Sequence, residues 1–347
     1  MLSGDALFRK IEEEMGSGKF VVAEIAPALR VSLGEEFGMG TVNAEGKVVS
    51  LLKEMGFREV FDTSFGADLI VAAEVPEFIK SLGKGVVFNS CCIGWRIYAM
   101  QRHKEVMPNI SRYVSPQMAV GSVVKFYWAP KNGIRPEDVV VVGIMPCTLK
   151  KHETKERMKN GLVSVDYVLD TQEVARWAKA KGLDLRAMPE GKIKFSPSKN
   201  GLIFGSTGGV AESLLTNMAA YLGKPKEVID FRTFEKSVKK TVKIGSYTIR
   251  VATVFGYPAL EEILKEKDSY DFIEVMACAF GCVGGPGQPT AKGDALMQRA
   301  KLLRESADAL QSKNSFDNPE LKEVMEWIRS LSKEKFEEYF LLPSQDR

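Results

Sequence analysis

The stretch DVVVVGIMPC, residues 138–147, contains both features on which the predicted fold and site depend. Its run of β-branched residues predicts a strand, and a cysteine follows where that strand would end. Similar β-rich apolar runs occur at residues 19–26, 58–64, 85–90, 165–170, 246–256 and 271–277. Between them lie stretches in which apolar residues recur at three- and four-residue spacing, as in helices. This alternation is typical of an α/β protein with parallel sheets.

The predicted helices fill most of the intervals between the strands, at residues 44–56, 67–83, 115–129, 171–182 and 208–223. Gly56 is expected to end the first of them, since glycine is a common C-terminal cap. Residues 187–200 contain proline and serine and are predicted to form a loop between two halves of the chain. After Pro289 the sequence becomes polar, and two further helices are expected at residues 293–313 and 318–340.

The composition indicates an ordinary folded protein and argues against several classes of function. The 347 residues are 45% hydrophobic and 27% charged and carry a net charge of +3, so no strong field favours nucleic acid or an anionic membrane surface. No apolar run approaches the ~18 residues needed to span a bilayer, and the N-terminal stretch has no signal-peptide apolar region. We therefore expect a cytoplasmic protein that neither binds nucleic acid nor spans a membrane.

All of the cysteines lie at or just beyond the ends of three predicted strands; they are Cys91, Cys92, Cys147, Cys278 and Cys282. An odd, clustered set does not resemble a secreted disulfide framework. In open parallel sheets, ligands bind outside the carboxyl ends of the strands, so these thiols are expected to converge on one site. Buried structural cysteines are the simpler alternative, although this alternative explains five strand-end positions poorly.

Converging thiolates would select either zinc or an iron–sulfur cluster. His103 and His152 are the only histidines available for a mixed zinc site, and most of the thiols are far apart in sequence. The spacing therefore favours an iron–sulfur cluster and leaves zinc open. The glycine-rich turn CVGGPGQP, residues 282–289, is expected to approach an inorganic group closely and to present backbone N–H donors to it.

Other side chains near the cysteines could add to such a site. Lys150 would lie one turn along a helix that begins at Cys147, on the same side as the cysteine. A lysine there could donate hydrogen bonds to an anionic ligand. Met145 and Met276 each precede a cysteine by two residues and could pack against a metal centre, although ordinary core positions are the simpler interpretation.

Three segments resemble the signature motifs of the [FeFe]-hydrogenase catalytic domain: NSCCIGW at 89–95, MPCTLKKHE at 145–153 and EVMACAFGCVGGPGQP at 274–289. They follow the order of the family's motifs TSCCPxW, MPCxxKxxE and ExMACxxGCxxGG. Further similar segments lie at residues 26–38, 61–69, 114–121 and 203–213. The resemblance implies a single domain over residues 1–347, with an α/β fold of two intertwined lobes, approximately 20–145 and 146–290. Each lobe would be a mainly parallel sheet flanked by helices, with the cofactor cleft between them and C-terminal helices at 291–347.

The family's cofactor, the H-cluster, joins a 4Fe-4S cubane to a two-iron subcluster that carries carbon monoxide, cyanide and a bridging dithiolate amine. By motif position, the resemblance assigns the cubane to Cys92, Cys147, Cys278 and Cys282, with Cys282 bridging to the two-iron unit. Cys91 is left unligated, as the thiol that exchanges protons with the amine. Lys150 would donate a hydrogen bond to a cyanide. The other residues assigned to the cofactor pocket are Met145, Met276, Phe204, Gln117, Pro27 and Ala28.

By position, the resemblance assigns the family's proton path to Glu74, Glu77 and Ser111. Such a relay needs titratable groups within hydrogen-bond reach, directly or through water. Without the resemblance, the two glutamates would be interpreted as an exposed helix face. The arginine often found at the outer end of this path is replaced by Ser81. The remaining departures from the family pattern are Asn89 for threonine, Ile93 for proline, Pro286 within a glycine run and Ala28 for a serine.

The resemblance predicts an iron hydrogenase of anaerobic hydrogen metabolism, which interconverts dihydrogen with two protons and two electrons. Because the chain begins almost directly with the predicted catalytic domain, electrons are expected from a separate redox protein. Maturation proteins are expected to deliver the two-iron unit, which an unmatured sample would lack. Two alternatives stay open: a low-turnover hydrogen sensor, and a non-catalytic iron–sulfur carrier or assembly protein. Carriers of that type have additional N-terminal cysteines and no need of Cys91 or Lys150, so the enzyme is favoured.

Overall fold

The computed structural model describes residues 4–155, 158, 161–224, 229–233 and 235–343. Within these residues no helix is long and apolar enough to cross a bilayer. The strands are β1 (Phe20–Ile25), β2 (Glu59–Asp62), β3 (Val87–Phe88), β4 (Val139–Met145), β5 (Tyr167–Asp170), β6 (Ser237–Ile244), β7 (Tyr247–Phe255) and β8 (Phe272–Met276). They form two four-stranded sheets, and the α/β class predicted from the sequence is confirmed.

The α-helices alternate with the strands along most of the chain. They are α1 (Asp5–Gly16), α2 (Glu45–Glu54), α3 (Thr63–Ser81), α4 (Ile93–Arg102), α5 (Pro116–Val123), α6 (Ala129–Lys131), α7 (Thr171–Ala180), α8 (Lys199–Leu202), α9 (Gly209–Tyr221), α10 (Tyr257–Leu264), α11 (Asp294–Asp308), α12 (Pro319–Ser330) and α13 (Lys333–Phe340). A π-helix, Val124–Trp128, joins α5 to α6. Gly56 follows α2 with φ of +110°, the left-handed conformation expected of a glycine cap.

The first sheet has the strand order β2-β1-β4-β5, and all of its neighbouring strands are parallel. Successive residues of a strand face opposite sides, so Val22 and Val141 pack in one core cluster while Val21 and Val142 pack in another. Both faces of the sheet are therefore covered, which explains why β4 is apolar along its whole length.

The second sheet has the order β3-β8-β7-β6 and is mixed. β3, β8 and β7 are parallel, whereas β6 pairs antiparallel with β7 as a hairpin partner at the sheet edge. β6 was not predicted, because its sequence SVKKTVKI is rich in lysine. Lysines on an edge strand oppose pairing with another chain, which accounts for this composition.

The two sheets exchange strands across the middle of the chain. In chain order, β3 belongs to the first four strands, β1 to β4, but lies in the second sheet, and β5 belongs to the strands β5 to β8 but lies in the first sheet. The lobes are thus intertwined as expected, but the predicted boundary between 20–145 and 146–290 matches neither sheet. The physical reason is that strand pairing, which decides the lobes, follows register between distant segments and is not visible in local composition.

Helix α3 begins earlier than predicted and continues through a proline. The Asp62 side chain accepts a hydrogen bond from the Ser64 N–H and caps the helix, so α3 starts at Thr63 instead of residue 67. Pro76 lies inside the helix. The early start places both Thr63 and Ser64 against the site described below.

The predicted loop at residues 187–200 is partly ordered by the first sheet. Lys194 exchanges backbone hydrogen bonds with Val60 and Asp62 of β2, and α8 begins at Lys199. The expected C-terminal helices are present as α11, α12 and α13. The last of them packs on the helices around the first sheet, where Tyr339 stacks on Phe126 at a ring distance of 4.3 Å.

Candidate metal and cofactor centre

The carboxyl ends of strands from both sheets open onto one cavity. Met145 ends β4 in the first sheet, Met276 ends β8 in the second, and Cys91 and Cys92 follow β3. The residues that line the cavity are Ala26, Pro27, Thr63, Ser64, Ala67, Cys91, Cys92, Pro116, Gln117, Met145, Pro146, Cys147, Lys150, Phe204, Gly205, Met276 and Cys282. The convergence of strand-end thiols expected from the sequence is therefore seen in the structure.

Four of the thiols form a mutually interacting group. Cys92, Cys147 and Cys282 line the cavity. Cys278 lies beside them, because the N–H of the preceding residue, Ala277, donates to Cys92 Sγ at 3.4 Å. Burial and then the neighbouring Cys92 and Cys147 raise the pKa of Cys278 to about 12. Burial and then the neighbouring Cys92, Cys278 and Cys147 raise the pKa of Cys282 well above its usual value. Protein groups alone therefore disfavour the thiolate forms of Cys278 and Cys282, and a cationic metal centre would supply the missing positive charge.

This donor set fits a cluster better than a single ion. No three His, Cys, Asp or Glu side chains in the described part of the chain are arranged to hold one metal ion. In a cubane each thiolate binds a different iron, so four thiols around a common space suit it. The set of soft sulfur donors at the ends of separate strands is thus compatible with the cubane that the sequence suggests.

Cys91 differs from the other four thiols in its contacts. Asn89 Nδ2 lies 3.3 Å from Cys91 Sγ. The same amide bridges β3 to β8, because it donates to Val275 O at 3.2 Å and accepts from Val275 N at 2.7 Å. Burial raises the pKa of the Cys91 thiol to about 12, so the thiol keeps its proton. Asn89, unexplained in the sequence, holds this thiol in place.

Lys150 reaches the cavity from a segment that is not the predicted α-helix. Residues Thr148–Lys155 form a 3₁₀-helix instead, which tightens the turn after Cys147. Lys150 Nζ donates to Cys91 O at 3.2 Å and to Glu153 Oε1 at 2.8 Å. Burial disfavours the charged form of Lys150. The charge and the hydrogen bond of the Glu153 carboxylate favour that form, and the net result is a raised pKa of Lys150.

Glu153 is buried beside the cavity, and the sequence predicted no role for it. It is the last residue of the motif MPCTLKKHE at 145–153. Ser115 Oγ and Gln117 Nε2 both donate to its Oε2, at 2.7 and 2.9 Å. Gln117 therefore lies at the cavity with its amide fixed by Glu153.

The predicted cofactor contacts divide into two groups. Pro27, Met145, Met276, Phe204 and Gln117 all line the cavity. Ala28 is fully buried in a separate cluster with neighbours such as Leu202 and Ile203, and it is not among the lining residues.

The glycine-rich turn packs against protein, which corrects the expected role of its N–H groups. Those of Gly284, Gly285 and Gly287 donate to the carbonyls of Gly281, Cys282 and Pro146, respectively. A Cβ on Gly285 would lie 2.3 Å from Pro146 O. Glycines are needed here because the turn lies directly on the backbone of Pro146, before Cys147. The N–H groups of Gly284, Gly285 and Gly287 are therefore already bound and are not available to an inorganic group. Pro286 is exposed at the tip of the turn.

The predicted proton-path residues lie at a second cavity of about 400 Å³. Glu74, Glu77, Ser81 and Ser111 all line it. Burial raises the pKa of Glu74 to about 7, opposed by a hydrogen bond with Ser111 and reinforced by Glu77. A carboxyl that titrates near neutrality is suited to exchange protons.

Arg112 occupies the outer end of this group and was missed in the sequence. Its Nη2 and Nε donate to the Glu77 carboxylate at 2.5 and 3.2 Å. The arginine comes from the segment beside α3, directly after Ser111, and not from position 81. The sequence offered one clue to this role: Arg112 directly follows Ser111, which matches the serine of the family's proton path.

Residues 19–286 of the chain match the family described as "Iron only hydrogenase large subunit, C-terminal domain". The chain is 32% identical to the NADP-reducing hydrogenase subunit HndD of Solidesulfovibrio fructosivorans, over 94% of this chain and 60% of that protein. It is 35% identical to the periplasmic [Fe] hydrogenase large subunit of Nitratidesulfovibrio vulgaris, over 82% of this chain and 72% of the relative. Protein NAR1 of Arabidopsis thaliana is 28% identical, over 94% of this chain and 78% of NAR1.

Solved structures are similar over nearly the whole chain. A variant of the [FeFe]-hydrogenase HydA1 of Chlamydomonas reinhardtii superposes with a TM-score of 0.83 at 28% identity, covering 96% of this chain and 97% of that one. The structure described as HydA(deltaEFG), in a study of stepwise H-cluster assembly, gives a TM-score of 0.82 at 28% identity, with the same coverage. The similarity confirms the arrangement of sheets and flanking helices expected of this fold.

Proposed function

The chain belongs to the iron-only hydrogenase family, and from this membership we propose that it is a hydrogenase that interconverts dihydrogen with two protons and two electrons. The observation that carries the proposal is the position of Cys91. This protonated thiol shares one cavity with Lys150 and with cysteines that could bind a cluster. A centre that served only to carry iron and sulfur would not require the additional thiol.

The residues present fit the H-cluster that the family implies. Cys92, Cys147, Cys278 and Cys282 would hold the 4Fe-4S cubane, and Met145, Met276, Phe204, Gln117 and Pro27 would surround the two-iron subcluster. Bound there, the cofactor would supply the redox step of the reaction. Lys150 would orient it by donating a hydrogen bond, because its ammonium is buried and fixed by Glu153.

The role of the protein is then to hold and move protons. Cys91 carries its proton at Sγ, next to the Asn89 amide, and Glu74 titrates near neutral pH. Glu77, bound to Arg112 at the second cavity, would exchange protons with solvent. Relay between such groups, directly or through water, is the usual mechanism of proton transfer in enzymes.

Partners of the reaction are also part of the proposal. A separate redox protein would exchange electrons with the cubane, and maturation proteins would deliver the two-iron unit. The chain spans 60% of the length of HndD. The cytoplasmic location stays a prediction.

A second function is favoured by one finding, the similarity to NAR1 and to other proteins named as cytosolic iron–sulfur cluster assembly factors. In that case the four cysteines would hold a cluster, and the chain would act in cluster delivery without hydrogen turnover. Cys91 and Lys150 would then have no role in the chemistry.

Infrared spectroscopy of protein matured anaerobically with the two-iron unit distinguishes the two functions. A hydrogenase should show carbonyl and cyanide bands, and their absence after competent maturation would contradict the proposal. The adjacent cysteines provide matched variants. Cys91→Ala should retain cluster iron and lose most hydrogen turnover, whereas Cys92→Ala should lose cubane iron. Bands without turnover in the unaltered protein would indicate the sensor.

A further inference from the structure

Glu24 lies one residue before the carboxyl end of β1 and is fully buried, with an exposed fraction of 0%. Among the described residues, neither of its carboxylate oxygens has a hydrogen-bond partner. Burying an ionised carboxylate without a partner is strongly unfavourable, so this side chain needs either a donor or a proton. Neither the fold nor the proposed reaction accounts for it.

The side-chain amide of Gln117 lies beside Glu24 on the same face of the first sheet. Glu24 pairs with Gly143 of β4, and paired residues in parallel strands present their side chains on one face. A Cβ on Gly143 would lie 2.5 Å from Gln117 Oε1, so the amide fills the space above this glycine. Gln117 Oε1 also lacks a partner within the described ranges. With Glu24 ionised, three acceptor oxygens would be neighbours with no donor among them.

Glu153 and Lys150 connect this group to the cofactor cavity. Gln117 Nε2 and Lys150 Nζ donate to the two oxygens of Glu153, at 2.9 and 2.8 Å. Lys150 and Gln117 both line the cavity. A series of neighbouring buried polar side chains therefore extends from Glu24 on β1 to Lys150 at the wall of the cavity.

The other charges that face Glu24 are already balanced. Lys150 is paired with Glu153, and Lys125 of the π-helix is paired with Asp166 at 2.7 Å. An ionised Glu24 would therefore leave one uncompensated negative charge in the interior. Consistently, burial and then the Glu153 carboxylate hold the pKa of Glu24 well above its usual value, although Lys150 and Lys125 act in the opposite direction.

We propose that Glu24 holds a proton in the resting protein, and that this proton is coupled through Glu153 and Lys150 to the charge in the cofactor cavity. The coupling rests on the proposed function, whereas the proton on Glu24 does not. In the alkaline range, where part of the protein carries an ionised Glu24, an electron added to the cofactor site by an external reductant draws one proton from water onto Glu24, and oxidation releases it. Glu24 is thus a positioning residue, which acts on the cofactor through Lys150. Because linkage is reciprocal, the same coupling makes the reduction potential depend on pH.

The first test uses cofactor-free protein and infrared spectroscopy at about pH 8, where ordinary carboxyls are ionised. The unaltered chain should show a protonated-carboxyl band that shifts in deuterated water. Glu24→Gln, which keeps the shape of the side chain, should lose it. Asp68→Asn is the matched control, since Asp68 is equally buried but bound by Ser198 and Ser315. A band that persists in Glu24→Gln would overturn the assignment. Glu24→Leu provides a second variant if Glu24→Gln does not fold.

The second test measures the reduction potential of the cubane alone, reconstituted without the two-iron unit, against pH. In the unaltered chain the potential should become more negative as the pH rises through the alkaline range, and Glu24→Gln should remove this component. An identical pH dependence in both proteins would refute the coupling. A chain that shows the Glu24 band but binds no cubane would refute the proposed function and the coupling while leaving the proton on Glu24 established, so the two failures are distinguishable.

Discussion

Replacing Glu74 by glutamine should stabilise the fold, and the gain should depend on pH. A folded-state pKa of about 7, against a usual value near 4.5, means that the ionised carboxylate opposes folding by about 3 kcal/mol. Because Glu74 is only half-buried, water screens part of this penalty, and about 2 kcal/mol is the expected gain. The penalty is fully present above the folded pKa and fades as the pH falls toward the unfolded value. Glu74→Gln removes it and can keep the Ser111 hydrogen bond.

The measurement is denaturant unfolding of cofactor-free protein under reducing conditions, for both chains, across the weakly acidic to weakly alkaline range. The difference in free energy of unfolding should be largest near pH 8 and should shrink toward about pH 5, near the unfolded-state pKa. Glu77→Gln is the control, because Glu77 is partly exposed and ion-paired with Arg112; its effect should stay within about 1 kcal/mol. If Glu74→Gln raised the free energy of unfolding by the same amount at every pH, or lowered it at pH 8, burial of the ionised Glu74 carboxylate would not be the cause.

Three further substitutions test other contacts of the site. Arg112→Met should lower hydrogen turnover of matured protein several-fold at neutral pH but change unfolding free energy by less than about 1 kcal/mol, because its pair with Glu77 is partly exposed. Asn89→Ala should cost about 1–3 kcal/mol in denaturant unfolding, since Val275 loses both of its amide contacts. Gly285→Ala should reduce the iron bound after reconstitution and destabilise the fold by about 1–3 kcal/mol, because its Cβ meets a backbone carbonyl; normal iron content would contradict that packing.

Much of the fold could be predicted because its strands are apolar and buried on both sides. The apolar run at residues 138–147 correctly predicted β4 for this reason, and the six other apolar runs correctly predicted β1, β2, β3, β5, β7 and β8. β6 could not be recognised, since an exposed edge strand carries lysines and has no apolar pattern. The exchange of β3 and β5 between the sheets was invisible as well, because it depends on pairing between distant segments.

The candidate site was predictable where chemistry and position coincide in sequence. Cysteines at strand ends pointed to one location because parallel strands expose their carboxyl ends to a common crevice. Arg112 could not be assigned, because its contact with Glu77 depends on how two separate segments pack. Glu24 looked like part of an ordinary strand, and only its burial without a hydrogen-bond partner distinguishes it among the residues that the structure describes.

The exchange of strands between the sheets also constrains how the chain folds during synthesis. The first sheet can close once β5 has left the ribosome, but β3 must wait for β8, and Cys92 meets Ala277 across 185 residues of sequence. Such distant pairing makes folding slow, and domains of this size pass through partly folded intermediates. Until β8 docks, Cys91 and Cys92 lack the segment after β8 that faces them in the folded protein. The cysteines that could bind the cluster therefore come together only when β8 docks on β3, so a cluster could bind there only late in folding.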